Sequence, residues 1–155
     1  MIRVYRIVRK PYSKKPLDGE GSYRFGGRWS SPGIRIAYTA EHLSLAMIEY
    51  FVHIEANDPP KDLVVVAADI PDTVSRVVLP RESLPSKWRQ VPAPTALAAI
   101  GNAFATERKS ALLVLPSALV PSESNWLVNP LHPEFADIQV NPAEPFHYDA
   151  RFFTR

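Results

Sequence analysis

Sixteen prolines are spread along the 155 residues of this chain and sit at nearly every junction between its segments. Proline removes a backbone donor and fixes φ, so it ends or kinks helices and is confined to strand edges. The chain therefore reads as short strands and short helices joined by many turns. Residues 2–9 alternate, with Ile2, Val4, Arg6 and Val8 on one face and Arg3, Tyr5, Ile7 and Arg9 on the other, which predicts a first strand. A polar loop over 10–22 follows, and then a short strand over 35–38. Thr39 is the expected N-cap of a helix over 40–54, because Leu43, Ala46, Met47, Tyr50, Phe51 and Ile54 recur at helical spacing. Residues 63–70 form a continuous apolar run, expected to be a central strand buried on both faces.

Further along, a strand is expected over 74–79 and a helix over 95–107, whose stripe is Leu97, Ile100, Ala103 and Phe104. A strand over 111–115, a turn-rich loop over 122–130, and closing strands over 136–140 and 146–153 complete the reading. Strands outnumber helices without regular βαβ alternation, so the predicted class is α+β. A chain of this length fits one domain over 1–155 and can bury about 70% of its unfolded surface without disulfide or metal. It has no cysteine, which excludes a thiolate nucleophile. No apolar stretch approaches the length of a membrane span, and the start does not read as a signal peptide, so cytoplasm is the expected location.

Charge is unevenly placed. Residues 1–40 carry nine Lys or Arg against Asp18 and Glu20, a balance of +7, whereas residues 41–155 carry −5. A basic first quarter implies an anionic partner, a nucleotide or nucleic acid. Within it, Arg24-Phe25-Gly26-Gly27-Arg28-Trp29-Ser30-Ser31-Pro32-Gly33 sets an arginine fork between a glycine pair and an indole. Glycine permits close backbone approach to a ligand, and the guanidinium suits phosphate. Arg24, Gly27 and Arg28 are thus candidates for an anion clamp. Glu49 has the longest apolar surround of any acid in the chain, and such acids cluster at functional sites. It could equally occupy the solvent stripe of its helix, and periodicity leaves both open. Tyr38 ends the strand ahead of that helix. Residues 121–130 gather Ser122, Glu123, Ser124, Asn125 and Trp126 in one loop, the kind of place where binding groups sit. The four histidines show no metal-ligand spacing, and no Gly-x-Ser-x-Gly elbow is present.

Together these pieces resemble the RES domain, a family of bacterial toxins named for an arginine, a glutamate and a serine. The resemblance runs through Arg-x-Tyr-Arg at the start, Gly-Gly-Arg-Trp-x-Ser-Pro-Gly, Tyr-x-Ala-Glu, and Leu-Ala-x-x-Glu ending at Glu49. It continues through Pro-Ser-x-x-Asn-x-Leu-x-Asn-Pro-x-His-Pro over 121–133 and Tyr-Asp-x-Arg-Phe over 148–152. It implies an ADP-ribosyltransferase-like fold, with two small, mainly antiparallel sheets around a cleft that holds NAD, and it maps the family residues to Arg28, Tyr38, Glu49 and Ser122. Ser117 also follows a proline and competes with Ser122 for the family serine. The implied activity is cleavage of the nicotinamide–ribose bond of NAD by phosphorolysis or hydrolysis, or else ADP-ribosylation of a protein. NAD is then substrate, inorganic phosphate a possible co-substrate, and no cofactor or metal is held permanently. The implied partner is an Xre-type helix-turn-helix antitoxin, with the toxin a homodimer in the complex and no direct contact with nucleic acid or membrane. Two other classes stay open: a basic nucleic-acid binder or ribonuclease, and a scaffold in which Arg28 and Glu49 are a structural ion pair.

Overall fold

The computed structural model describes residues 1–154. The first strand, β1 (Ile2–Arg9), pairs along its whole length with β3 (Leu63–Ile70), antiparallel, from Ile2 opposite Ile70 to Arg9 opposite Leu63. β2 (Ala37–Ala40) is antiparallel to β6 (Ser124–Val128), which is antiparallel to β5 (Leu112–Pro116). β4 (Arg76–Val78) runs parallel to β5, and α3 (Thr95–Glu107) is the crossover that a parallel pair needs. Two-residue strands, β7 (Gln139–Val140) and β8 (Glu144–Pro145), close the outer side of β3. The path β4-β5-β6-β2-β1-β3-β7 is continuous, but its halves meet at one residue pair, Tyr5 opposite Ala40. The result is a mainly antiparallel α+β fold of two small sheets joined at a narrow seam.

Three faces are covered. α2 (Leu43–Phe51) lays Leu45 and Ala46 on Ile7, Ala40 and Leu63. α3 and the segment before it bury Leu84, Trp88 and Leu97 against Trp29, Leu113, Leu115 and Leu127. On the opposite face, Val4, Leu17, Ala37, Leu112, Val114, Trp126 and Val128 form one cluster. Gly101 lets α3 come close: a Cβ there would lie 1.6 Å from the Trp29 carbonyl oxygen.

The expected strand over 63–70 and helix over 95–107 have the bounds found for β3 and α3. Several other expectations need correction. Thr39 is not a cap: it lies inside β2, buried, and its hydroxyl donates to the Trp126 carbonyl. α2 starts after His42 and ends at Phe51, shorter than 40–54. The loop expected over 10–22 ends in a short helix, α1 (Glu20–Phe25), entered through Gly19 in the left-handed region. The loop expected over 122–130 is in large part β6, paired on both sides, with Trp126, Leu127 and Val128 buried. Turn-forming Ser and Asn masked the alternation there. The strand expected over 136–140 is a 3-10 turn, Pro133–Asp137, before β7. Residues 146–153 are not a closing strand: beyond β8 they make a 3-10 turn, Ala150–Phe152, and Phe146, Tyr148, Phe152 and Phe153 pack as an aromatic cluster. That aromatic side-chain demand is what had looked like strand composition.

Candidate active site

Glu49 lies on α2, half-buried, and accepts a hydrogen bond of 2.6 Å from the hydroxyl of Ser117. Ser117 follows β5 directly and is fully buried. Its hydroxyl oxygen also accepts from the backbone N–H groups of Leu119 and Val120, each at 3.1 Å. The serine is therefore locked by its own turn and offers its one proton to the acid. A hydrogen bond to an ionised group is worth about 1.5–3 kcal/mol. Glu49 is thus aimed inward, toward the end of β5, and not along a solvent stripe. Ser122, five positions on in the same connection, is exposed. Asn125 is in β6, with its amide nitrogen 3.4 Å from the Thr39 carbonyl oxygen.

The glycine-hinged run folds as a tight loop after α1. Gly26 takes φ of 72°, and Gly27 and Ser30 form an isolated bridge. Beneath it stands Tyr38, whose hydroxyl lies 2.6 Å from the Ser30 hydroxyl and accepts the Trp29 N–H at 3.2 Å. A Cβ at Gly27 would fall 2.7 Å from that phenol oxygen, so the glycine is required by Tyr38 itself. Burial raises the Tyr38 phenol pKa, which keeps it a neutral pin for the loop. Arg28 reaches away from Tyr38 and donates through Nη1 to the carbonyls of Trp88 and Gln90, at 3.0 and 2.9 Å. The next arginine in that segment, Arg89, donates to the Ala118 carbonyl at 2.8 Å. Arg28 and Ala118, the residue after Ser117, are in this way both tied to the 88–90 segment. Arg24 is engaged elsewhere, with Glu20 at 2.7 Å, one turn back on α1.

One residue of the seam was not singled out from the sequence. Beyond the single pair Tyr5–Ala40 the strands β1 and β2 part, and Arg6 fills the gap. Its Nη1 donates to the Tyr38 carbonyl at 2.8 Å, while its Nε is buried with no partner among the described residues. Burial pushes the guanidinium pKa down, partly offset by Asp18. An unpaired buried donor on a cation costs stability unless something accepts from it. The alternation of β1 held the signal: Arg6 sits between Val4 and Val8, which are both buried.

The chain matches the RES domain over residues 3–149. It belongs to the RES family. Among its relatives, a Sphingobium protein called "Prs ADP-ribosylating toxin" is 33% identical over 148 residues, covering 94% of this chain and 92% of that one. A protein of Yersinia enterocolitica called "Toxin Res" is 36% identical over 132 residues, 85% of this chain and 86% of the relative. Its namesake in Pseudomonas putida is 36% identical over 139 residues, covering 88% and 92%. A solved structure, the M. tuberculosis MbcT–MbcA toxin–antitoxin complex, aligns with a TM-score of 0.76 at 19% identity, covering 94% of this RES chain and 84% of that one. At that identity the likeness speaks for the fold. No helix among the described residues of this RES chain is long and apolar enough to cross a membrane.

Proposed function

We propose that this RES protein is the toxin of a toxin–antitoxin pair and that it depletes NAD by breaking the nicotinamide–ribose bond. The observation that carries the reading is Glu49, held inward by Ser117 on a helix that packs against β1, the strand whose Arg6 keeps a buried donor without a partner among the described residues. Cleavage of an N-glycosidic bond passes through an oxocarbenium-like state. Nicotinamide leaves as a neutral base and needs no general acid, so a single carboxylate suffices. Glu49 stabilises the developing positive charge and hydrogen-bonds a ribose hydroxyl. Ser117 fixes the carboxylate, which makes it a better candidate than Ser122 for the family serine. Arg6 offers its Nε–H to a pyrophosphate oxygen. Arg28 uses the N–H groups that the Trp88 and Gln90 carbonyls leave over, either for that anion or for inorganic phosphate as the attacking co-substrate. Tyr38 and Gly27 shape the loop, and Asn125 offers its amide to a ribose hydroxyl or phosphate.

The test is NAD consumption by the purified protein, with and without phosphate. Glu49→Gln is expected to lower the rate at least about 10²-fold while the circular dichroism spectrum stays native. Full activity in that variant would refute the role given to Glu49. A second reading, ADP-ribosylation of a protein target through the same groups, is favoured by the identity to the Sphingobium ADP-ribosylating toxin. It predicts a mass-shifted acceptor, where NAD breakdown predicts free ADP-ribose or its phosphate. For the partner we propose an Xre-type helix-turn-helix antitoxin, in keeping with the solved complex of similar fold.

A further inference from the structure

Ahead of α2, a second group of side chains has ligand chemistry of its own. Glu41 and His42 link β2 to α2, and Glu123 comes from the connection between β5 and β6. One ligand atom from each of the three lies within 4.8 Å of the others. His42 Nδ1 stands 2.9 Å from Glu123 Oε1 and 3.9 Å from Glu41 Oε1. The backbone under them is fixed. Glu41 N–H donates to the Ser124 carbonyl at 3.2 Å, and Ser124 N–H returns a bond of 2.9 Å to Glu41 Oε1. Ser117 N–H holds the Glu123 carbonyl at 2.9 Å.

The charge at this place is unbalanced. Glu20, Asp62 and Asp69 each meet an arginine. Among the described residues, Glu41 and Glu123 meet no Lys or Arg, and their only basic neighbour is His42. Two carboxylates around an imidazole nitrogen call for a cation between them. The half-charge of the helix N-terminus opposes this, but it is small against two full negative charges.

We propose that Glu41, His42 and Glu123 bind one divalent transition-metal ion of the zinc type. Imidazole with two carboxylates suits Zn²⁺, which takes three or four N and O ligands at about 2.0–2.2 Å. Three protein ligands with one nitrogen among them suit Ca²⁺ and Mg²⁺ poorly, since those ions prefer six or more oxygens or retained waters. Water completes the shell, because His42 is exposed. The Ser124 N–H on Glu41 acts from outside, orienting a ligating carboxylate. The ion takes the place of the proton on His42 Nδ1, and the neutral ring then carries its one proton on Nε2; protons compete with the metal for the same ligand atoms, so affinity falls as pH falls. Bound there, the metal ties the start of the Glu49 helix to the connection that carries Ser117.

The experiment uses tag-free full-length protein stripped with chelator and titrated with ZnCl₂ or MgCl₂ by calorimetry, with melting temperature followed in parallel. The expected result is one zinc per chain, no magnesium uptake, a rise in Tm with zinc, and weaker binding at acid pH. His42→Ala should abolish uptake, Glu123→Gln should weaken it at least about tenfold, and His53→Ala, at an exposed histidine outside the cluster, should leave it unchanged. Failure of the wild-type protein to take up zinc overturns the proposal. So does zinc uptake that persists undiminished in folded His42→Ala and Glu123→Gln.

Discussion

Gly101 sits in the middle of α3, where alanine ordinarily stabilises a helix by about 1 kcal/mol over glycine. Here the sign reverses, because an added Cβ would run into the Trp29 carbonyl oxygen and push α3 off the loop after α1. Gly101→Ala is expected to destabilise by about 3 kcal/mol, read from the urea midpoint. Ser117→Ala should lower NAD turnover through kcat, while Ser122→Ala at its exposed position leaves turnover unchanged; equal effects of the two would refute the assignment. Glu49 was legible as an acid in an apolar surround, and Arg28 as a cation beside a glycine pair. The partner of Glu49 was not, because Ser117 is 68 positions away and only the curl of the sheets brings the two together. Arg6 was hidden for a different reason: alternation put it on a buried face, but only the parting of β1 from β2 leaves its Nε without an acceptor.

Elements with one clear period were readable to the residue. β3 is apolar except for Asp69 and α3 keeps its stripe, so packing and local preference agree on their bounds. β6 and the end of the chain failed because side-chain roles there override local preference: Ser and Asn of β6 are held by neighbours on both sides, and the terminal aromatics serve α2. Phe51 of α2 packs with Tyr148, Phe152 and Phe153 at ring centroid distances of 5.8, 5.3 and 5.8 Å. Tyr148 also donates to the Met47 carbonyl at 2.6 Å, and burial raises its phenol pKa to about 12. Tyr148→Phe keeps the ring and loses the hydrogen bond, so it should cost about 1 kcal/mol in denaturant unfolding. β1, β3 and the residue after β7 are stapled by Asp69, which accepts from Arg3 at 2.7 and 2.9 Å and from the Asn141 amide at 2.9 Å. These bonds, Arg3 first, lower the Asp69 carboxyl pKa from 3.8 to about 2. A depressed pKa gives stability that is present above 3.8 and is lost as pH falls toward 2. Melting temperature should therefore drop across that window in the wild type and drop less in Asp69→Asn.

At the scale of the molecule, the α+β class was legible in many short segments with strands in excess, whereas two small sheets were what the resemblance to the RES family implied; they are found as two halves of one continuous path. The narrowness of the seam was not legible, since one pair against eight along β1–β3 is a matter of register in space. That contrast predicts dynamics. Backbone amides at Ile7 and Ala40, which face the seam, should exchange with deuterium faster than those in the middle of β3, and NAD should slow them if it lodges between the parting strands. Unchanged exchange with saturating NAD would place the nucleotide elsewhere.

The 88–90 segment hangs on guanidinium-to-carbonyl tethers from two sides, Arg28 on one and Arg89 to Ala118 on the other. Neither tether involves Glu49 or Ser117. Substitutions in that stretch therefore reach the loop after α1 and the connection between β5 and β6 together, while the Ser117–Glu49 hydrogen bond keeps its own partners.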